Sequence, residues 1–288
     1  MKTKDIFIAL IVPILLGFGF VIAKPAMEYF PPFLLMGLRF TIPALFLVWW
    51  FPMPKGLLLD IFKVSFIGSS LQYALTYSGL NLIDASSAVL LVQLETPFGI
   101  LIAFFLLKEI PTIKNIIALT ISFIGVIILT GAPNLEGQYL GIFLTLSGAF
   151  TWSLGAVMAK NLGKKIGAFA LMTWLCVFSG PMLLIISIIF DGNPVNYILS
   201  ANLNSWLTLA FLGLIMQPIA YGAWYFVLSK YPVNKIMPIM LLLPITGLIT
   251  AIILLGEEPS KQVFLGGAII IFGVSLILFK NTKKKRLK

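Results

Sequence analysis

Ten apolar runs, each about as long as a bilayer-crossing helix needs, fill most of this chain. They fall at 6–23, 33–51, 61–80, 86–107, 113–130, 138–159, 168–190, 206–228, 236–255 and 262–279. Polar or Pro/Gly breaks separate them, and the longest break is only a loop. Such a chain has little room for a water-soluble domain. Charged residues make up 10% of it, against roughly 25% in soluble domains. That is too few to coat a water-exposed surface, so an ordinary soluble enzyme, a disordered chain and a coiled coil are excluded. The first run is full span length and is followed by Lys24-Pro25, which argues against a cleaved leader.

The charges that remain are arranged by side. With the N-terminus placed in the cytoplasm, seventeen of the 20 Lys and Arg residues fall on the inner side. Lys24 and Lys261 fall outside, and Arg39 falls within a span. An even number of spans then puts both termini in the cytoplasm. The net charge of +10 is thus a topology signal and not a nucleic-acid surface, and the basic tail 282–288 reads as a segment beside anionic lipid.

The two halves repeat. A shift of 148 residues brings Gly99 onto Gly247, Glu109 onto Glu257, Pro111 onto Pro259 and Gly125 onto Gly273. A shift of 136 brings Gly19 onto Gly155 and Ala23-Lys24 onto Ala159-Lys160. A shift of 145 brings Gly68 onto Gly213 and Gln72 onto Gln217. The expected architecture is all-α and integral to the membrane: repeat one at 1–131, repeat two at 138–281, five spans each. Because five is odd, the second repeat enters the membrane in the opposite sense. Inverted repeats of this kind are a common plan of secondary transporters, with a site between the halves.

Family resemblance rests on short segments in a fixed order. They are Gly17-Phe-Gly-Phe-Val-Ile-Ala-Lys24, Pro32-Phe-Leu-Leu-Met-Gly-Leu-Arg39-Phe40, Ala149-Phe-Thr-Trp152-Ser-Leu-Gly155, Tyr221-Gly-Ala-Trp224, Leu243-Pro244 and Gly256-Glu257-Glu258-Pro259. Together they resemble EamA-type members of the drug/metabolite transporter superfamily, most closely the O-acetylserine/cysteine exporter type of bacterial inner membranes. The family usually places Trp before the first Gly of span one; this chain has Leu16 there and keeps Trp152 in the second half. The resemblance implies a central cavity lined mostly by spans one to four and six to nine. It also implies export of small polar metabolites by alternating access.

Few polar groups lie inside the runs, so the candidates are quickly named. Arg39 sits about two turns inside span two, where a charge costs roughly 2.5–3.5 kcal/mol at mid-span. Its fork suits a substrate carboxylate, or it serves as a gate; a structural Arg bound to backbone carbonyls is the bland alternative. Glu95, flanked by Gln93, Thr96 and Pro97, is the carboxylate nearest a span centre. It is open to three roles: proton coupling, an ammonium ligand, or the ion-pair partner of Arg39. Gln72 and Gln217 form a repeat-related pair able to hold a polar substrate or to bond between helices. Tyr73, Tyr77, Trp152, Tyr221 and Trp224 offer aromatic walls.

Glu109 and Glu257, each just before a Pro, read as capping and loop-shaping residues. The sequence has no His, a single Cys (Cys176), no phosphate-binding loop and no nucleophile elbow. No cofactor or metal is expected, and the chain reads as a transporter and not an enzyme, with a small-molecule substrate and the lipid bilayer as its partners. A larger metabolite or a lipophilic cation remains the alternative cargo, and a lipid enzyme or membrane scaffold the alternative class. Whether the protein is a monomer or a homodimer is open.

Overall fold

Long apolar stretches in a bilayer must satisfy their backbone groups internally, which leaves helices as the economical answer. The computed structural model describes residues 3–108, 110–159, 162–230 and 237–278, and every regular element among them is helical. Helix α1 is Thr3–Ala26, and α2 is Pro32–Leu47, extended by the tight turn Val48–Trp50. Helix α3 runs through Leu58–Ser65, a π segment Phe66–Leu71 and Gln72–Leu82. Helix α4 joins Ala85–Leu91, a tighter turn Val92–Leu94 and Glu95–Leu107. Helices α5, α6 and α7 are Ile113–Thr130, Tyr139–Ala159 and Ala168–Phe190. Helix α8 comprises Leu203–Ala210, a long π segment Phe211–Ala220 and Tyr221–Lys230. Helix α9 is Leu242–Leu255, preceded by the turn Met237–Leu241, and α10 is Lys261–Leu278.

Seven of these runs are long and apolar enough to cross a membrane: those in α1, α2, α4, α5, α6, α7 and α8. The sequence leads one to expect ten. Helix α3 falls short because Ser69, Ser70, Gln72 and Thr76 dilute its apolar face, yet all four are buried inside the bundle. The apolar helices Ile239–Leu255 and Lys261–Leu276 are short, and each adjoins residues outside those described. The basic tail 282–288 also lies outside the described residues.

Large apolar side chains on the outer surface are exposed, among them Phe105, Ile127, Phe143, Ile189, Phe190 and Ile253. A soluble protein avoids so much apolar surface, whereas a lipid-facing one requires it. Trp49 and Trp50, exposed at the end of α2, suit the membrane–water boundary.

Helix pairing is specific. Helix α5 packs on α10, α2 on α7, α3 on α6, α1 on α8 and α9, and α4 on α6 and α9. Small residues set the closest approaches, as is usual where no aqueous driving force pushes helices together. Gly68 of α3 meets Gly155 of α6 backbone to backbone, and Gly125 of α5 meets Gly266 of α10.

One end of the bundle is marked by Lys24, which closes α1 and contacts Ile83 and Asp84 beyond α3 and Glu257 beyond α9. Helices α1, α3 and α9 therefore all run toward this end. Asp191, at the end of α7, accepts the Leu34 N–H at the start of α2 (3.3 Å).

Candidate functional site

Helix α2 carries Arg39 into the interior, where the residue is 1% exposed. A guanidinium in such a place needs every donor answered. Its Nη1 donates to the Tyr77 hydroxyl at 2.8 Å and lies 3.6 Å from Met36 Sδ. Its Nη2 donates to Gln217 Oε1 at 3.2 Å. The plane lies 5.0 Å from the ring centre of Tyr73 and 5.9 Å from those of Phe40 and Tyr77. Tyr73 in turn shares a 2.8 Å hydrogen bond with Tyr221. Gln217 Nε2 faces Cys176 Sγ at 3.9 Å.

These partners come from α2, α3, α7 and α8, so four helices converge on one cation. All of them are neutral. Arg39 Nε is buried without a hydrogen-bond partner among the described residues. Among the described residues the positive charge is held by dipoles and ring faces, not by a carboxylate.

Beside this cluster lies a cavity of about 130 Å3, walled by Phe40, Ser69, Tyr73, Trp152, Gln217, Tyr221 and Trp224, among others. Its floor includes Val64, early in α3, and Ala159, the last residue of α6. The cavity thus extends away from the Lys24 end. The Tyr73–Tyr221 bond and the Gln217 amide stand between it and Arg39. The helices lining it are α2, α3, α6, α7 and α8, a narrower set than the family resemblance implies.

The remaining candidates are placed elsewhere. Gln72 is buried but donates to Thr76 of its own helix (3.1 Å), and its Oε1 has no partner among the described residues. It neither meets Gln217 nor lines the cavity. Gln217 lies inside a π segment, whereas Gln72 is the first residue after one, so equal positions in the repeat point in different directions. Gln93 donates to Val89 O, one turn back, at 3.4 Å.

Glu95 begins the α-helical part of α4 after the tight turn. Its backbone carbonyl accepts the Ser153 hydroxyl at 2.6 Å. Among the described residues its carboxylate makes no hydrogen bond or ion pair. An ion pair with Arg39 is therefore not formed. The sequence leaves that pair open; neighbourhood decides against it. Helix α2 packs on α3, α7 and α8, while α4 packs mainly on α6 and α9.

Sequence reasoning missed Met36, Phe40 and Cys176 as neighbours of the charge. Met36 was findable, since it stands three residues before Arg39 on one helix face. The π segments also went unread. Pro218, which lacks an N–H and so disrupts the ladder, was the available sign in α8.

Residues 3–131 and 139–279 each match the EamA-like transporter family. The chain is 29% identical to a protein of Escherichia coli called a probable amino-acid metabolite efflux pump, over 100% of this chain and 99% of that one. A protein of the same name from Salmonella typhimurium is 28% identical, over 97% and 96%. An uncharacterized transporter from Clostridium kluyveri is 30% identical, over 79% and 72%. A crystal structure only 18% identical in sequence shares the fold, with a TM-score of 0.67 over 99% of this chain and 100% of that one.

Proposed function

The chain belongs to the EamA-like transporter family, and from that premise we propose that it exports amino acids or their derivatives, such as cysteine and O-acetylserine, by alternating access through the central cavity. The observation that carries the reading is the buried Arg39 guanidinium, ringed by neutral groups beside an aromatic cavity. A planar, permanently charged fork with no acidic partner among the described residues is suited to a substrate carboxylate. In this reading Gln217 moves with Arg39 to hydrogen-bond the substrate. Tyr73, Tyr221, Trp152 and Trp224 form the cavity walls, while Tyr77 stays on Arg39 and lies outside the lining. The names of the relatives in Escherichia coli and Salmonella typhimurium point to the same cargo class.

Ten spans in two inverted repeats of five, with both termini in the cytoplasm of a bacterial-type inner membrane, are part of the proposal. The helix pairs support it. Exchanging α1–α5 with α6–α10 turns the α3–α6 pair into α8–α1 and the α1–α9 pair into α6–α4. The same exchange leaves α5–α10 and α2–α7 as they are. A twofold relation between the repeats requires this pattern.

Glu95 favours a second reading. A membrane-embedded carboxylate without a hydrogen bond or ion pair among the described residues suits a coupled proton or a cationic cargo. A lipophilic-cation exporter would depend on it, and normal cation transport by Glu95→Gln would dismiss that version. A large anionic metabolite is poorly served by one buried cation and a cavity of about 130 Å3.

Thermal stabilisation of the purified protein across a panel of amino acids and thiol metabolites tests the substrate class. A ligand present at a hundred times its Kd adds about 2.7 kcal/mol to stability, enough to move Tm by several degrees. A panel without any shift, followed by no flux, refutes it.

A further inference from the structure

At the end of the bundle opposite the cavity, Lys24 ties together three segments from the two halves of the chain: α1, the α3–α4 turn and the end of α9. Its Nζ donates to Ile83 O at 2.7 Å and stands 3.6 Å from Glu257 Oε1 and 4.0 Å from Asp84 Oδ1. The Glu257 carboxylate is also engaged with α4: Oε1 accepts the Ala85 N–H at 2.7 Å and Oε2 the Ser86 N–H at 2.9 Å. Gly256 makes this reach possible. It closes α9 with φ +65°, a conformation that favours glycine, and turns the chain back over the start of α4. Asp84 is held in turn by Asn134 of the α5–α6 connection at 2.5 Å.

We infer that Lys24 and Glu257 form the outer gate of the transport path, locking α1 and the α3–α4 turn of the first half to the end of α9 in the second. The inference rests on the transporter reading of the chain. Two closed layers then separate the cavity from the Lys24 end. The inner one is the Arg39, Tyr73 and Tyr77 cluster; the outer one is this latch.

Its chemistry suits a contact that must break in each cycle. The Lys24 and Glu257 side chains are 26% and 12% exposed, so water can take over both charges when the halves part. A fully buried pair would have no such exit. Glu257 also keeps its hold on α4 through two backbone N–H groups, so losing Lys24 frees α1 without unravelling α4. The repeat relates Lys24 to Lys160 and Glu257 to Glu109, which lie outside the described residues.

The test reads opening directly. Leu80 is fully buried, one turn beyond Tyr77 and one turn before Asp84, and so lies between the two layers. Leu80→Cys in a Cys176→Ala background provides a single thiol, and its labelling by a maleimide is timed in the purified protein. Lys24→Met and Glu257→Gln each remove the ion pair, the latter keeping an acceptor for α4. Both should label about tenfold faster, the effect of one lost charge-assisted contact on a two-state equilibrium. Lys24→Arg, which restores the charge, should label at close to the parent rate.

A static brace predicts otherwise: Lys24→Met and Glu257→Gln would lower Tm yet label at the parent rate, and that result overturns the gate. If one variant fails to purify as a monodisperse species, the other gives the same reading. Labelling needs no substrate. Absent flux therefore counts against the cargo, and unchanged labelling counts against the gate.

Discussion

Replacing Gly155 by Ala is expected to force α3 and α6 apart at the cavity wall. A Cβ added at Gly155 would stand 2.2 Å from Gly68 Cα and 3.0 Å from Gly68 N. Carbon atoms settle at about 3.5–4.0 Å, so the pair must open by about 1.5 Å. The obstacle is backbone, and no rotamer change relieves it. Overpacking of this kind costs about 1–3 kcal/mol, and the better helix propensity of Ala returns up to about 1 kcal/mol.

The net loss of about 1–2 kcal/mol lowers Tm by about 4 °C. Gly155 and Gly68 both line the cavity, so flux should fall with stability. Gly99→Ala is the matched control, because a Cβ there meets nothing within 4 Å. It should leave Tm unchanged or raise it. Thermal unfolding of the two variants in the same detergent measures the difference. If Gly155→Ala is as stable as Gly99→Ala, the close α3–α6 contact is wrong, and the shape of the cavity with it.

Three further outcomes follow from individual side chains. Arg39→Lys cannot hold Tyr77 and Gln217 at once, and loses about 1.5–3 kcal/mol of charge-assisted bonding to a carboxylate, seen as a ten- to hundredfold weaker apparent Kd; unchanged affinity would remove Arg39 from the substrate site. Glu95→Gln should abolish accumulation driven by an imposed pH gradient while leaving one-for-one exchange intact; gradient-driven transport at the parent rate would free Glu95 of any coupling role. Burial holds the Asp191 carboxyl above its ordinary value, against the opposing hydrogen bond from the Leu34 N–H. An acid raised on folding adds stability at low pH and loses it as pH rises through the folded value. Asp191→Asn should therefore match or slightly exceed the parent Tm at neutral pH, and the difference should vanish toward pH 4; a lower Tm at neutral pH would reverse the sign.

The helices were legible where apolar length alone decides them. The run read at 113–130 is helix Ile113–Thr130, and the run at 168–190 is Ala168–Phe190. What apolar length does not carry is the local winding. A run of Phe, Ile, Gly and Leu is equally apolar as α or π helix, and the π segments of α3 and α8 pack on α6 and α1. The same limit governs the site. Scarcity of charge singled out Arg39 and Glu95, and depth could be counted at 1.5 Å per residue. Depth says nothing of rotation about a helix. That is why Arg39 finds Tyr77 and Gln217 and no described carboxylate, and why Gln72 bonds Thr76 of its own helix while its counterpart reaches the guanidinium.

Counterflow in liposomes tests the central claim most directly. Vesicles holding purified protein are loaded with an unlabelled amino acid or thiol metabolite and diluted into the labelled compound. The account predicts transient accumulation of label in wild-type vesicles, strongly reduced in Arg39→Lys vesicles of equal protein content. Label that stays at the level of protein-free vesicles for every amino acid and thiol metabolite tried would contradict it.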